Sequence, residues 1–444
     1  MTFLSFALGV PLGIVLEKTD VWHAKLLLAL LSLPLILPPY TIALAYSHLF
    51  GEWFFSFWGV VFVEVTLYMP LAMLATFILL KTINPSLENA ALLLFSWPKV
   101  LQKISLPLIF PSLLFVGMLL FLLSFGNYSV VNFLRYESFI VKSFVEFSAF
   151  YHYKLSFALS FFFLVFVLLL LYAEQRYTVK RNYQSSFSNL TLKNAHPIAL
   201  GHSKGVISFV LWSITILFSL LPLTLIVSEI ENLHSIISAF ELSYESILRT
   251  LLYAFGAASL VTLFGFVIAY SIRVKLFYFT SLFDMLSVIL FALPSTLTGI
   301  ALVLFFNHPW SNFIYASPLL MLIGYSVKYT AMSNRILRAQ LRTIPFSMED
   351  AAKLLGLGLF ARLRHITLPL LKSSLLMSWL LSFIFILRDT DMSMILYSAG
   401  AETLSIKTFT LMANSSASLI ASLNLIMVVL ILLPFTLLYF KVSK

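Results

Sequence analysis

The sequence predicts an all-α polytopic membrane protein of about eleven transmembrane helices in two parallel homologous halves. Three observations carry this. Hydrophobic residues make up 61% of the 444-residue chain and charged residues only 10%, more apolar surface than a soluble protein of this length needs. Apolar runs of about 20 residues recur, the length that crosses a bilayer as helix. Two polar segments of one design interrupt those runs. The first reads Leu87-Glu88-Asn89-Ala90-Ala91, then Ile104-Ser105-Leu106-Pro107-Leu108; the second reads Met348-Glu349-Asp350-Ala351-Ala352, then Ile366-Thr367-Leu368-Pro369-Leu370.

In chain order, the first apolar run covers residues 3–16 and is short for a relaxed span. It lacks a basic n-region and a small-residue cleavage site, which argues against a signal peptide. Glu17-Lys18-Thr19-Asp20 closes it as a helix reaching the cytoplasm would close. Spans at 25–49, 55–80, 106–125 and 155–173 complete a first half, residues 1–173. Residues 174–204 carry Arg176, Lys180, Arg181, Lys193 and Lys204 among several Ser and Asn, and read as a flexible cytoplasmic linker. The second half, residues 205–444, holds spans at 205–227, 247–270, 281–306, 315–334, 367–387 and 417–440.

The halves repeat in the same direction. Leu37-Pro38 matches Leu293-Pro294 at an offset of 256, Glu88 matches Glu349 at 261, and Pro107 matches Pro369 at 262. Residues 137–144 match 402–409 at 265, aligning the charged pairs Glu137/Glu402 and Lys142/Lys407. Duplication followed by small loop insertions produces such a drifting offset. A parallel repeat implies a pseudo-two-fold axis along the membrane normal and a shared path between halves.

Charge sets the orientation. With both polar segments placed in the cytoplasm, the Lys and Arg left outside are Arg135, Lys142, Lys154, Arg249, Arg388 and Lys407, so 22 of the 28 lie inside. The net charge of +10 is thereby explained without nucleic acid as a partner. Glu229, Glu231, Glu241 and Glu245 cluster in one outer loop.

Each polar segment opens a short helix with an acidic residue, which the helix dipole favours, and paired alanines give it a low profile that fits a groove. Pro85 and Pro345 punctuate the way in. The Leu-Pro pair marks re-entry into the bilayer, since proline favours a helix's first turn.

Other chemistry is excluded or weak. The chain has no cysteine, hence no disulfide, thiolate metal site or cysteine nucleophile. No Gly-x4-Gly-Lys-Ser/Thr phosphate loop is present, and Gly201-His202-Ser203-Lys204-Gly205 has the wrong spacing. The eight histidines form no ligand-spaced pair, so no metal site is expected. Tyr151-His152-Tyr153-Lys154 reads as interfacial anchoring. Glu64 stands nearly alone as a carboxylate inside a span; the favoured reading is that it lies near the outer end and reaches interfacial water, the alternative a functional acid. Asp284 reads as interfacial. Arg388, Asp389 and Asp391 either line a path or form a local ion pair. Pro38-Pro39 and Pro294 mark either helix breaks near the path or simple kinks.

The matched polar segments closely resemble the Glu-Ala-Ala loop of ABC importer permeases, a type I importer permease fold. That resemblance implies coupling loops at about 82–105 and 335–366. Glu88, Ala90, Ala91, Glu349, Asp350, Ala351 and Ala352 would then contact a separate ATPase. The family glycine falls on Gly356, while the first copy has Phe95 there and a loop one residue shorter, so its helix is expected to turn or dock differently. Phe125-Gly126-Asn127-Tyr128-Ser129-Val130-Val131 looks like a stretch of ferric-iron permeases. Glu402-Thr403-Leu404-Ser405-Ile406-Lys407 is similar to a segment of their second half. Arg388-Asp389 departs from the usual Gly-Glu. The short first run points to a start internal to the family's usual frame, or a shortened protein.

The resemblance implies a fused two-half permease in the bacterial inner membrane, with coupling loops, linker and C-terminus cytoplasmic. It is not itself an enzyme and binds no cofactor. Two copies of an ABC ATPase would use ATP and Mg, and an external, periplasmic binding protein would deliver ferric iron. Pro38, Pro294, Asn127 and Asp389 are candidates for the translocation path. Thiamine, a polyamine or another small solute are alternative cargoes, and an ion-driven secondary transporter is the alternative from another class.

Overall fold

A computed structural model describes residues 1–179, 198–274 and 279–442; the linker's Lys180, Arg181 and Lys193 lie outside them. The chain divides into two compact units, Met1–Glu229 and Ile230–Lys444. Among the described residues there is no strand, only an isolated bridge between Thr19 and Ile198.

The first unit runs α1 (Thr2–Lys18), α2 (Ala24–Leu31), α3 (Leu33–Ile36), α4 (Pro39–Phe50) and α5 (Phe57–Lys81). It continues with α6 (Pro85–Leu92), α7 (Trp97–Val100), α8 (Leu106–Phe125), α9 (Tyr128–Phe133), α10 (Phe139–Ser148) and α11 (Tyr153–Val179). Two more helices, α12 (Lys204–Thr215) and α13 (Leu221–Ser228), complete it. Residues after the linker thus pack in the first unit, where Leu211 and Phe218 share a core with Leu12, Leu27 and Met69.

The second unit begins with α14 (Leu233–Val274), α15 (Thr280–Ala292), α16 (Ser295–Phe306), α17 (Asn312–Tyr315) and α18 (Leu319–Leu341). It ends with α19 (Phe346–Leu354), α20 (Leu359–Arg362), α21 (Leu368–Arg388), α22 (Thr390–Leu396), α23 (Leu404–Leu411) and α24 (Ala417–Val442). From α5 onward and from α18 onward the two units follow one element order, as the sequence repeat requires.

Among the described residues, six helices are long and apolar enough to cross a membrane, or up to eight when each sharply bent pair is one span. The other three expected spans are helical too: α1 has only 17 residues, α11 covers 155–173, and α18 carries Lys328, Arg335 and Arg338. The bent pairs settle the proline question in favour of breaks. Residues 24–36 and 39–54 meet at 99°, and 282–292 and 295–306 at 115°. A proline pushes its predecessor out of the α region. Leu37 (ψ 150°) and Leu293 (ψ 142°) are accordingly extended, as are Pro38 (ψ 134°) and Pro294 (ψ 140°).

The Leu-Pro pairs behave differently from expectation. They do not open the membrane helices. Continuous helix starts at Trp97 and Leu359 and runs to Phe125 and Arg388. Each Leu-Pro follows one π turn: Leu101–Ser105 before Leu106-Pro107, Leu363–Thr367 before Leu368-Pro369, and Ile216–Leu220 before Leu221-Pro222. Proline has no N–H and its ring crowds the carbonyl four residues back. A wider turn, in which Leu106 N–H bonds Leu101 O and Leu368 N–H bonds Leu363 O, relieves that crowding without ending the helix.

Small residues let the helices that bear the site approach closely. A Cβ added at Gly9 or Gly13 of α1 would lie 2.6 Å from Met69 O or Met73 O of α5. Gly265 of α14 abuts Ser333 of α18 in the same way.

Candidate functional site

Each polar segment folds as a short helix, flanked in the chain by residues of a small apolar cluster. Around α6 these are Leu80 and Ile83 before it and Ile109 and Leu113 after it. Around α19 they are Leu341, Ile344 and Leu371, the repeat counterparts of the first three, clustered with Ala269, Tyr270 and Leu337. Asn84 caps α6, its side-chain oxygen accepting from Ser86 N–H at 3.0 Å.

The two glutamates point inward. Glu88 is 0% exposed and Glu349 3%. Lys18, the last residue of α1, donates to Glu88 Oε2 at 2.7 Å, and Ser105 donates to Oε1 at 2.7 Å. Arg273, in the last turn of α14, donates from Nε to Glu349 Oε1 at 3.0 Å. Its other nitrogens reach the carbonyls of Leu341 and of Ile344, the latter at 3.0 Å, and its Cζ lies 4.4 Å from the centre of the Phe346 ring. The glutamates therefore bind the membrane helices of their own unit and are covered from solvent.

One helical turn on, Ala91 and Ala352 share that inner face and are buried. The outer face shows Ala90, Asp350 and Ala351, with Asp350 paired to Lys353 at 3.2 Å. Beyond it, Leu93 is 86% exposed and Leu354 90%, and their neighbours Leu94 and Leu355 are nearly as bare. These matched leucine pairs carry no sequence signal apart from the repeat itself.

The helix ends differ. At α19, Gly356 has φ +75°, its N–H bonds Lys353 O at 2.9 Å, and Leu357 N–H bonds Ala352 O at 3.0 Å. This is a Schellman ending with glycine at the left-handed position. Phe95 is not left-handed; its N–H bonds Ala91 O at 2.9 Å, and Lys103 sits 5.1 Å over its ring. The first helix therefore turns differently, as the missing glycine leads one to expect.

The remaining candidate residues sit beside the proline breaks. Asn127 caps α9, accepting from Val130 N–H at 3.3 Å, and Asp389 caps α22, accepting from Met392 N–H at 2.9 Å. They are repeat counterparts, and each capped helix packs on the helix that its unit's proline restarts, α9 on α4 and α22 on α16. Asp389 also accepts from Tyr329 hydroxyl at 2.7 Å and Ser295 hydroxyl at 3.5 Å. Lys328, buried within α18, donates to the Leu293 carbonyl that the break frees. Glu64 is thus not the lone charge inside a span; a lysine inside residues 315–334 is the signal that finds the other.

Two acids have partners that the sequence does not reveal. Glu64 is buried and accepts from Ser124 hydroxyl rather than reaching interfacial water. Asp284 is tied to α18, accepting from Asn334 at 2.7 Å and Arg338 at 2.8 Å. Next to Lys18, Asp20 accepts from Leu200 N–H and from Lys204, each at 3.0 Å. The Leu200 amide first, and Lys204 second, hold its carboxyl below the usual aspartate range. Among the described residues no group of three His, Asp or Glu is placed to hold a metal ion.

Residues 261–444 match the model of the binding-protein-dependent transport system inner membrane component. Over 420 residues the chain is 23% identical to the Fe(3+)-transport system permease protein FbpB 2 of Haemophilus influenzae, covering 91% of this chain and 80% of that protein. Over 407 residues it is 22% identical to the ferric transport system permease protein FbpB of Actinobacillus pleuropneumoniae, covering 84% of this chain and 59% of that one. With two matched polar helices on a broken-helix scaffold, a family match over residues 261–444 and similarity to ferric transport permeases along both halves, the chain is similar to the binding-protein-dependent inner membrane components.

Proposed function

We propose that this permease carries ferric iron into the cell, driven by two copies of an ABC ATPase and supplied by an external binding protein. The observation that carries the reading is the matched pair α6 and α19, each anchored inward by its glutamate and bare outward at a leucine pair. Ala90, Ala351, Asp350 and the leucines form the face on which an ATPase docks, while Glu88, Glu349, Ala91, Ala352 and Gly356 shape and hold it. Both helices, the linker and the C-terminus lie in the cytoplasm. Pro38, Pro294, Asn127 and Asp389 line the path, where broken helices turn backbone groups toward a cavity. Ferric iron is taken as cargo because the relatives' names carry it.

ATP and Mg stay with the ATPase. Closure of its dimer draws the docked helices together and favours the outward-open state. Coupling demands that the partner bind that state better when ATP is present. The test is to purify the tagged chain in mild detergent from its native membrane. A co-purified ATPase whose hydrolysis the permease stimulates supports the reading. A chain that purifies alone, with uptake dissipated by a protonophore, means an ion-driven transporter instead.

A further inference from the structure

The two inward glutamates are held by different means. Glu88 gathers Lys18 from α1 and Ser105 from the π turn before α8. In the second unit the hub is the cation. The Arg273 guanidinium bonds Glu349, the Leu341 carbonyl ending α18 and the Ile344 carbonyl between α18 and α19, and it packs on Phe346. Its side chain is 5% exposed. A planar fork with several donors fixed at once is suited to joining segments rigidly, which a lysine is not.

The helix that carries Arg273 leads across the unit. α14 has 42 residues. From Arg273 to Leu242 it spans about 46 Å as straight helix, more than the hydrocarbon thickness of a bilayer. Near that far end Thr250 Oγ1 accepts from Leu404 N–H at 2.8 Å, and the Leu242 carbonyl accepts from Lys407. Leu404 and Lys407 belong to α23 and to the Glu402–Lys407 stretch that repeats residues 137–142. One continuous helix thus joins the base of α19 to α23.

We propose that Arg273 is a positioning residue that locks α19 to α14, so that displacement of α19 is delivered through α14 to α23 on the opposite side of the unit. This rests on α19 being the ATPase-docking helix. Lys18 performs the local half of the role for α6, holding it to the 17-residue α1. Loss of the Arg273 fork leaves α19 able to bind a partner but slack against the membrane helices.

The chain's lack of cysteine makes a direct test simple. A nitroxide label on Ala351→Cys, on the exposed face of α19, reports how firmly that helix is held in the full chain in nanodiscs. Arg273→Gln should turn an immobile spectrum mobile, and Arg273→Lys should give an intermediate one. Lys353→Ala, which breaks only an exposed pair, should change nothing. In the assembled importer, transport per ATP should fall about tenfold in Arg273→Gln while hydrolysis persists, the scale of a lost charged hydrogen-bond set. An unchanged label spectrum in both Arg273 variants overturns the lock. A mobile label with unchanged transport per ATP overturns the delivery through α14. The label experiment needs no ATPase, so it decides the lock even if the docking role itself proves wrong. Arg273→Lys decides it if Arg273→Gln does not insert.

Discussion

Arg273 Nε lies 3.0 Å from Glu349 Oε1, a contact between residues 76 positions apart whose side chains are 5% and 4% exposed. A buried ion pair holds its geometry only when its remaining donors and acceptors are met. Here the Leu341 and Ile344 carbonyls meet them. The glutamate of each polar segment is therefore an anchor to its own unit, and the proposed docking would fall to the exposed residues around it.

Glu349→Lys places two cations in that corner. Breaking a buried pair this way costs about 3–5 kcal/mol locally. The apolar runs are unchanged, so insertion should be normal, but unlike the neutral loss in Arg273→Gln the two like charges push α19 out of place and ATPase association weakens. Complex yield after affinity purification reads this, and normal yield would count against α19 as the docking element.

Leu354 and Leu355 touch little of their own unit, so Leu354→Ser with Leu355→Ser should change stability by no more than about 0.5 kcal/mol. Partner binding should nevertheless drop. A thermal unfolding curve beside an ATPase pull-down separates the two effects; retained pull-down would move the docking face elsewhere.

At Gly356 an added Cβ meets nothing within 4 Å, yet φ is +75°. Gly356→Ala should therefore cost about 1–2 kcal/mol through backbone strain alone. Faster amide exchange at the end of α19 is the expected sign. Phe95→Gly should produce no matching gain in α6, because Phe95 is not held left-handed.

Asp389→Asn installs the residue found at its counterpart, Asn127. Asparagine caps as well as aspartate, so α22 and protein yield should survive. The charge beside the Pro294 break is lost, together with the oxygen that accepts from the Tyr329 and Ser295 hydroxyls. Cation uptake should fall if Asp389 lines the path, and unchanged uptake would confine it to capping.

Much of the architecture is legible in the apolar runs, because length and composition alone define a span: all eleven expected positions are helical. Leu37-Pro38 and Leu293-Pro294 announce their breaks through local sterics. The π turns are less legible, since Pro107 and Pro369 read equally well as a helix's first turn; only the continuous helix from Trp97 and from Leu359 distinguishes the two. The burial of Glu88 and Glu349 is not legible at all, because Lys18 and Arg273 are distant in sequence and a helix dipole favours a glutamate there whether it faces in or out. Lys328 is visible as a charge within a span, but its target, the Leu293 carbonyl, exists only once the helix is broken.

The most direct test of the central claim is uptake of radiolabelled ferric iron in cells with and without this gene, beside labelled thiamine. The account predicts that iron uptake alone is lost without the gene, returns when it is restored, and stops on ATP depletion. Iron uptake indifferent to the gene, or gene-dependent uptake that survives ATP depletion, would contradict it.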